Sequence, residues 1–320
     1  MTEGSGERFD IAMVGSHAYG LFMDCERLPE PSESIIGWNF RQPDDGGKGT
    51  NQAICAGKLG AAVLFIGKVG DDAPARHLAD WLARCKVDAR FLHRDPASYT
   101  GVGFVVIDRR GEVMIVSDMG ANARLTRAEI DAAVPTMRRA RFFMTQFEMP
   151  PELALYATRV ARREGLTTVL VPAPMAPLPD EPLDHVDIVT PNETEARQLA
   201  GYAADEKVAP ARLAERIRDR WRIDNVVITR GRDGVHARCG GETLELPIFP
   251  VETVNTTGAG DAFAAAMVVA LARGAGWAQA LETGAAAAAI SVQHDATWPA
   301  YPTPEILRAF LAARGRPCIL

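Results

Sequence analysis

The stretch Asn255-Thr-Thr-Gly-Ala-Gly-Asp261 runs directly into the apolar segment Ala262-Phe-Ala-Ala-Ala-Met-Val-Val269. A glycine-rich turn that opens into a helix leaves the first backbone N–H groups of that helix unpaired, at the positive end of the helix dipole. Such a turn binds anions, and phosphate in particular. Asp261 falls in the first helical turn. A carboxylate beside a bound anion is electrostatically unfavourable, so its presence there suggests a catalytic role, such as removing a hydroxyl proton during phosphoryl transfer. On these residues alone, an ordinary first-turn aspartate remains the alternative.

Upstream of this turn, short apolar runs rich in β-branched residues alternate with longer amphipathic segments. The runs predict strands at 11–14, 63–66, 141–147, 167–171, 186–189 and 226–229. The amphipathic segments predict helices at 75–85, 127–138, 151–164 and 210–221. This alternation favours an α/β fold, with a mainly parallel sheet covered by helices on both faces.

Residues 100–118 interrupt the alternation. They predict two strands, 101–107 and 112–116, joined by the hairpin-like turn Asp108-Arg-Arg-Gly111. Residues near 25–40 are candidates for further strands. We expect a small β-layer that acts as a lid or a dimer surface; an edge hairpin of the main sheet is the alternative.

Composition excludes several classes of protein. The chain has 320 residues, a formal net charge of -6, 47% hydrophobic and 24% charged residues, which is ordinary for a globular domain and unlike a disordered chain or a basic nucleic-acid binder. No apolar run approaches the roughly 20 residues that span a bilayer. Residues 1–7 lack the basic and apolar regions of a signal peptide, and the five cysteines show no CxxC spacing, so we expect a cytoplasmic protein with reduced thiols. The six histidines match no metal-ligand spacing, so no metal-ligating residues are predicted.

A second glycine-rich motif is Asp44-Asp-Gly-Gly-Lys-Gly-Thr-Asn51-Gln-Ala53. It is not a P-loop, because that motif needs Ser or Thr directly after the lysine and Gly49 follows Lys48 here. The glycines suit close backbone contact with a polyhydroxyl ligand, to which Lys48 and Asn51 offer hydrogen-bond donors. A surface turn with a solvated lysine is the alternative.

Two further motifs each follow a predicted strand. In Thr190-Pro-Asn192-Glu-Thr-Glu195, the amide and the second glutamate are three residues apart and face the same way on a helix, so they are candidates to hold the water shell of Mg²⁺. Simple capping of the helix is the alternative. Thr229-Arg-Gly231-Arg-Asp-Gly234 is a candidate to line a nucleotide phosphate tail, although alone it indicates only a turn.

Two segments of the chain together resemble the two signatures of the PfkB (ribokinase-like) carbohydrate kinases. They are Gly46-Gly-Lys-Gly-Thr-Asn-Gln-Ala53 and Thr256-Thr-Gly-Ala-Gly-Asp261. The likeness runs from about residue 11 to about residue 311 and is greatest to the ribokinase branch. It implies a single domain over 1–320 with a three-layer α/β/α core, a mainly parallel sheet and a small β-sheet lid from about 18–42 and 98–120. It also implies ATP-dependent transfer of the γ-phosphoryl group to a sugar hydroxyl with Mg²⁺, and a homodimer formed through the lids.

The resemblance also assigns roles to individual residues. Asp261 matches the general base, and the backbone amides of Gly258, Ala259 and Gly260 match the anion hole. The residues that match sugar contacts are Gly47, Lys48, Asn51 and Glu148. The residues that match the ATP and Mg-phosphate side are Asn192, Glu195, Thr229, Gly231 and Gly234. In this branch a K⁺ ion beside the anion hole also activates the enzyme.

The chain departs from the family pattern where the acceptor and K⁺ would bind. The family usually carries Asn and Asp shortly after the first strand, but Ala18 and Gly20 stand there, and the nearest acid in sequence is Asp24. Asn255 replaces an acidic residue, which puts K⁺ in question, and Val171 replaces an asparagine. Because buried polar partners dominate discrimination between substrates, two alternatives to a sugar kinase stay open: a nucleoside or modified-sugar kinase, and a catalytically silent sugar- or nucleotide-binding protein.

Overall fold

Two β-sheets organise the computed structural model, which describes residues 8–110 and 112–320. Residues 1–7, which do not match a signal peptide, and Gly111 of the predicted hairpin turn lie outside the described residues. The strands in chain order are β1 (Phe9–Val14), β2 (Ala18–Cys25), β3 (Trp38–Arg41), β4 (Val63–Gly70), β5 (Val87–Asp95), β6 (Thr100–Asp108), β7 (Val113–Gly120), β8 (Ala140–Gln146), β9 (Thr167–Val171), β10 (Ile188–Val189), β11 (Asn225–Thr229), β12 (Val235–Cys239) and β13 (Glu242–Leu246).

Helices connect most of the strands of the larger sheet. In chain order they are α1 (Lys48–Lys58), α2 (Ala73–Arg84), α3 (Arg127–Met137), α4 (Pro151–Arg163), α5 (Glu193–Leu199), α6 (Pro210–Trp221), α7 (Ala259–Ala272), α8 (Trp277–Ser291) and α9 (Pro304–Ala312). Across residues 8–110 and 112–320, no helix has the length and apolar character needed to cross a bilayer.

The larger sheet has the strand order β13-β12-β11-β10-β9-β8-β1-β4-β5. From β11 to β5 every neighbouring pair is parallel, and only β12 and β13 join antiparallel. The predicted α/β class with a mainly parallel sheet is therefore confirmed. Because the carboxyl ends of parallel strands share one edge, the loops after β1, β8, β10 and β11 meet along that edge, where open α/β sheets bind ligands.

Alternating side chains of the central strand β1 bury both faces of this sheet. Ile11 and Met13 enter the apolar cluster that also contains residues of α1, α2, α7, α8 and α9. Ala12 and Val14 enter the cluster formed with α3, α4, α5 and α6. The strand therefore lies between two helical layers, as a three-layer α/β/α core requires.

The second sheet has the order β3-β2-β6-β7 and is built from residues within 18–42 and 98–120. Its central pair, β2 and β6, is parallel, whereas both outer pairs are antiparallel. Only residues 15–17 separate β1 from β2. The small sheet therefore begins at the carboxyl edge of the large one.

Most elements predicted from the sequence lie where expected, although their ends differ. The strand at 167–171 and the helix at 210–221 coincide with β9 and α6. The strand predicted at 186–189 is shorter, because Val186 turns back to bond the carbonyl oxygen of Leu183, and β10 contains only two residues. The patterns did not predict β5, β12, β13 or α9.

Candidate active site

The carboxylate of Asp261 lies in the first turn of α7 and is 6% exposed. Nδ2 of Asn51 donates to its Oδ2 across 3.0 Å, and Nε2 of Gln52 donates to its Oδ1 across 2.9 Å. Both donors belong to α1, which packs against α7. Since a carboxylate oxygen has two lone pairs, each oxygen of Asp261 keeps a lone pair that can accept a substrate proton.

A second set of buried side chains fixes the two amides. Nε1 of Trp298 donates to Oδ1 of Asn51 across 2.8 Å, and Nε2 of Gln146 donates to Oε1 of Gln52 across 2.5 Å. Trp298 and Gln146 are both fully buried. Each amide thus accepts on its oxygen and donates to Asp261 through its nitrogen, so the carboxylate is held from both sides. Sequence reasoning missed Gln52, Gln146 and Trp298 as members of the site, although Gln52 lies within the glycine-rich motif itself.

Gly258 caps α7 in a conformation that few other residues adopt. Its φ is +74°, and a Cβ added there would lie 2.6 Å from Cγ2 of Thr297 and 2.6 Å from Oη of Tyr301. Both the left-handed backbone and the lack of space therefore require glycine.

The amino end of α7 presents unpaired backbone donors beside Asp261. Ala259 donates to the carbonyl oxygen of Thr256 across 3.2 Å, whereas the N–H groups of Gly258, Gly260 and Asp261 have no acceptor among the described residues. A Cβ added to Gly260 would meet nothing within 4 Å. The predicted anion hole is thus an open surface of N–H groups, although the N–H of Ala259 is engaged.

Glu148, which follows β8, connects the loop after β1 to the start of α1. Its Oε2 accepts from Oγ of Ser16 across 2.6 Å and from the backbone N–H of Lys48 across 2.7 Å. A Cβ on Gly47 would lie 2.7 Å from the same oxygen, so glycine permits this close approach. Burial raises the pKa of Glu148, against the opposing effects of the Lys48 ammonium and these hydrogen bonds.

The Lys48 side chain lies among three carboxylates. Burial acts to lower its pKa, but the charges of Asp261, Glu148 and Glu195 outweigh burial and raise it. The structure thus brings a predicted sugar contact, the predicted base and a residue of the predicted Mg-phosphate motif around one cation.

Asn192 and Glu195 cap α5 with a reciprocal pair of hydrogen bonds. Oδ1 of Asn192 accepts from the N–H of Glu195 across 2.9 Å, and Oε2 of Glu195 accepts from the N–H of Asn192 across 2.8 Å. The capping alternative therefore describes their local contacts. Burial raises the pKa of Glu195, which the charges of Lys48 and Asp261 also affect, so its carboxylate belongs to the same electrostatic environment as Asp261.

The carboxylate of Glu195 suits Mg²⁺, an ion that keeps most of its bound water. In residues 8–110 and 112–320, no group of three or more His, Cys, Asp and Glu side chains could hold a metal. Oε1 of Glu195, however, has no hydrogen-bond donor in the described part of the chain. Mg²⁺ beside nucleotide phosphates needs only one or two protein carboxylates, so this residue fits it.

The loop after β11 lies beside Asn192. Thr229 pairs with Asn192 in an isolated bridge, and its N–H donates to the carbonyl oxygen of Pro191 across 3.1 Å. Gly231 and Gly234 form the turn that follows, with φ of +53° and +84°. Among the described residues, no hydrogen bond or ion pair joins this turn to Asp261; it occupies the neighbouring strand end.

The residues that depart from the family pattern have contacts of their own. Ala18 and Gly20 lie on β2, but Asp24 accepts from Nη1 of Arg41 across 2.8 Å and from Nδ2 of Asn39 across 2.6 Å. Asp24 is thus paired within the small sheet and does not supply the missing acid at position 20.

Asn255 is paired near the amino end of α7. Its Oδ1 accepts from the N–H of Thr257 across 2.9 Å, and its Nδ2 donates to Oδ1 of Asp295 across 3.2 Å. A carboxylate therefore lies beside the position where the family has an acid.

An aspartate beside unpaired N–H groups of a helix suits phosphoryl transfer to an alcohol, and here it lies in the first turn of α7, within a mainly parallel α/β fold. The fold is that of a carbohydrate kinase. Residues 9–304 match the family described as pfkB family carbohydrate kinase, and the chain belongs to that family.

Relatives align over nearly the whole chain. The ribokinase of Haemophilus influenzae is 33% identical over 304 residues, which cover 95% of this chain and 99% of that protein. The deoxyribokinase of Salmonella typhi is 28% identical over 304 residues, with coverage of 95% and 99%. The structure of Arabidopsis thaliana ribokinase complexed with ribose and ATP superposes with a TM-score of 0.84 at 28% identity, with coverage of 95% and 99%. These similarities identify an ATP-dependent sugar kinase.

Proposed function

We propose that the protein transfers the γ-phosphoryl group of ATP to a hydroxyl group of a sugar, with Asp261 as the general base. The observation that carries this proposal is the placement of Asp261, which is buried, held by two neutral amides and adjacent to unpaired N–H groups of α7. A helix N-terminus stabilises negative charge without reorganising during the reaction.

In the proposed reaction, the acceptor hydroxyl gives its proton to Asp261 as its oxygen attacks the γ-phosphorus in line with the bond to the β-phosphate. That bond breaks, ADP leaves, and the new phosphate ester forms on the acceptor oxygen. Backbone N–H groups of Gly258 and Gly260, with Ala259 once it releases Thr256, stabilise the charge on the transferring group.

The nucleotide would lie along the ends of β10 and β11. Thr229, Gly231 and Gly234 line its phosphate tail, and Asn192 and Glu195 lie on the same side. Mg²⁺, when bound, would neutralise charge on the β- and γ-phosphates. Glu195 would hold it through water, since the carboxylate has a free oxygen.

The acceptor would lie between Asp261 and the start of α1. Gly47 offers a close backbone approach, and the side chains of Lys48 and Glu148 offer a donor and an acceptor. Oδ1 of Asn51 accepts from Trp298, and one N–H of its amide donates to Asp261. Its second N–H is left for a substrate hydroxyl.

K⁺ remains a candidate activator. Asp295 supplies, next to Asn255, the negative charge that an amide lacks. Exchange of K⁺ for tetramethylammonium should lower turnover if this carboxylate supports the ion, and unchanged turnover would rule out a functional K⁺ site.

We further propose that two copies associate through one face of the small sheet, here called the outer face, and that the enzyme works in the cytoplasm. Strand register puts Phe104 opposite Val116, and Val106 between Met23 and Met114. Phe104 and Val116 are 54% and 64% exposed. Exposed apolar patches of this kind on a small sheet are typical of association surfaces.

The first experiment is an acceptor screen. Wild-type protein with Mg²⁺-ATP is incubated with D-ribose, 2-deoxy-D-ribose and inosine, and ³¹P NMR follows ADP and any new phosphate ester. A sugar phosphate is the expected product, and transfer only to inosine would make the protein a nucleoside kinase. Binding of ATP and sugar without either transfer or ATP hydrolysis would contradict the proposal and favour the catalytically silent alternative.

A further inference from the structure

We propose that Asp45 holds hydroxyl groups of the acceptor at the end of the pocket away from Asp261, in place of a side chain at position 20. This inference rests on the proposed function, because it names a specificity-determining residue of the same pocket. Asp45 lies in the loop before α1, three residues ahead of Lys48.

The Asp45 carboxylate fills the space that a side chain on Gly20 would need. A Cβ added to Gly20 would lie 2.6 Å from Oδ2 and 3.1 Å from Oδ1 of Asp45, and 2.4 Å from the Phe22 ring. The backbone N–H of Gly20 donates to Oδ1 of Asp45 across 3.0 Å. The absence of a side chain at position 20 and the presence of an acid at position 45 are therefore two parts of one arrangement.

The Asp45 carboxylate is buried with too few partners. The residue is 7% exposed, and the Gly20 N–H is its one hydrogen-bond donor in the described part of the chain. None of the ion pairs found among the described residues includes Asp45. A buried carboxylate with one neutral donor is costly, and hydroxyl groups of a bound ligand would supply the missing hydrogen bonds.

Within the described residues, Asp44 is the one charged side chain that shifts the pKa of Asp45. His17 precedes β2, and burial lowers its pKa to about 3, so its ring is neutral. Thr50 donates to the Gly47 carbonyl, so its oxygen accepts from Nδ1 of His17 across 3.2 Å. Asp44, the adjacent acid, adds a negative charge. Burial raises the pKa of Asp45 to about 7. The hydrogen bond from the Gly20 N–H opposes this rise, and the charge of Asp44 adds to it.

A continuous hydrogen-bonded frame connects the Asp45 loop to the base. The N–H of Trp298 donates to the carbonyl oxygen of Asp44 across 3.0 Å, and the indole Nε1 of Trp298 donates to Asn51, which bonds Asp261. Asp45 and Asp261 both act on the buried phenol of Tyr301. Burial raises its pKa most, followed by the charges of Asp261, Cys55 and Asp45. The two carboxylates thus belong to the same interior.

This geometry defines the class of acceptor. One hydroxyl group reaches Asp261, and one or two further hydroxyl groups, several bonds away, reach Asp45. A carboxyl group near its pKa can both accept from and donate to a hydroxyl group. A compact polyhydroxylated molecule meets this description, whereas a molecule that is apolar or anionic at the Asp45 end does not.

The test measures the dissociation constant of the acceptor by calorimetry in the presence of a non-hydrolysable ATP analogue. The probe is the acceptor with the highest turnover among D-ribose, 2-deoxy-D-ribose and inosine, or D-ribose if none is turned over. Asp45→Asn keeps the shape and the hydrogen bond from Gly20, and Asp45→Ala removes both. Loss of hydrogen bonds to a charged group should raise Kd about 10- to 100-fold in Asp45→Ala, with a smaller rise in Asp45→Asn.

Moving the acid from position 45 to position 20 distinguishes a role of Asp45 in acceptor binding from a purely structural role. Gly20→Asp alone should weaken acceptor binding, because its Cβ meets the Asp45 carboxylate. Gly20→Asp combined with Asp45→Ala removes the contact with the carboxylate, so that only the edge of the Phe22 ring must shift, and it should bind the acceptor at least tenfold more tightly than Asp45→Ala. A structural role for Asp45 would give no such rescue, because the Gly20 N–H would still lack its acceptor.

The matched control is Asp24→Asn, on the same strand as Gly20 but paired with Arg41; its acceptor Kd should stay within twofold of wild type. A Kd within twofold of wild type in Asp45→Ala, or equal loss of acceptor and ATP analogue binding, would overturn the proposal. A wild type that binds the acceptor without phosphorylating it would contradict the proposed function but not the assignment of Asp45.

Discussion

Asn51 and Asp261, which are 210 residues apart in the chain, are joined by a 3.0 Å hydrogen bond from Nδ2 to Oδ2. The bond connects the first glycine-rich motif to the second. Since each motif starts a helix and the two helices pack together, the start of α1 and the amino end of α7 are held in one unit. Positioning of this kind, more than covalent chemistry, is what phosphoryl transfer asks of a protein.

Trp298→Phe tests how firmly this unit must be held. The variant keeps an aromatic ring but removes the Nε1–H donor to Asn51, so the amide can rotate away from Asp261. Loss of a single hydrogen bond corresponds to about a twofold to tenfold fall in kcat, with KM for ATP unchanged. Trp277→Phe, at the start of α8, is the control. Equal kcat in the two variants would show that the indole donor has no part in positioning the base.

Gly258→Ala tests the cap of α7. A Cβ at φ +74° would meet Thr297 and Tyr301 at 2.6 Å, so the variant suffers both backbone strain and a steric clash, together about 2–5 kcal/mol in the free energy of unfolding. Gly274→Ala is matched: its φ is +87° but nothing lies within 4 Å of the added Cβ. Urea unfolding should show a cost of about 1–2 kcal/mol there. A loss in Gly258→Ala no larger than in Gly274→Ala would contradict the steric part of the explanation.

Asp45 should make stability depend on pH in a defined direction. Its pKa is raised from 3.8 to about 7, so between these values the folded state keeps a proton that the unfolded state has lost. The free energy of unfolding therefore falls as pH rises through this window, and the loss is complete above about pH 7. His17 acts in the opposite direction, because its pKa is lowered to about 3 and its contribution falls as pH drops below 6.5.

The comparison of Asp45→Asn with wild type isolates the first effect, since His17 is common to both. The variant should be more stable than wild type at pH 8, by up to about 4 kcal/mol, and the difference should vanish near pH 4. Urea titrations at both pH values measure it. A difference that is the same at pH 4 and pH 8 would show that Asp45 is not a buried, poorly solvated acid.

Val116→Glu tests the outer face of the small sheet as the association surface. Val116 is 64% exposed and lies opposite Phe104. A glutamate there would be buried on association, and removing its charge from water would weaken the interface. Ile115→Glu is the control, because the adjacent residue is 61% exposed but points to the other face. Light scattering after size exclusion should report a dimer for wild type and Ile115→Glu and a monomer for Val116→Glu. Dissociation by both substitutions, or by neither, would contradict association through the outer face.

The sequence predicted the elements of the fold well because hydrophobic periodicity is a local property. The strand at 167–171 and the helix at 210–221 follow from it directly, whereas β10 is cut short by a turn that depends on contacts with other segments. Both glycine-rich motifs were recognisable because a close approach to Gly47 and a positive φ at Gly258 need glycine at those positions.

The support around the base could not be predicted in the same way. Trp298 bonds Asn51 across 247 positions in the chain, and Gln146 bonds Gln52 across 94. Pairings of this kind can be recognised only once the order of the strands in the folded sheet is known. Asp45 was present in the quoted motif, but its relation to Gly20 depends on the fold of β2 over the loop.

The most direct test of the central claim is the turnover of Asp261→Asn with Mg²⁺-ATP and the best acceptor of the screen. Asparagine has a single acceptor oxygen, so it can keep only one of the two bonds to α1, and it cannot take the hydroxyl proton. We therefore expect kcat to fall at least about 100-fold, while ATP still raises the melting temperature. Asp224→Asn, an exposed acid before β11 at the opposite edge of the sheet, should keep wild-type kcat. Turnover by Asp261→Asn within tenfold of wild type would contradict its role as the general base.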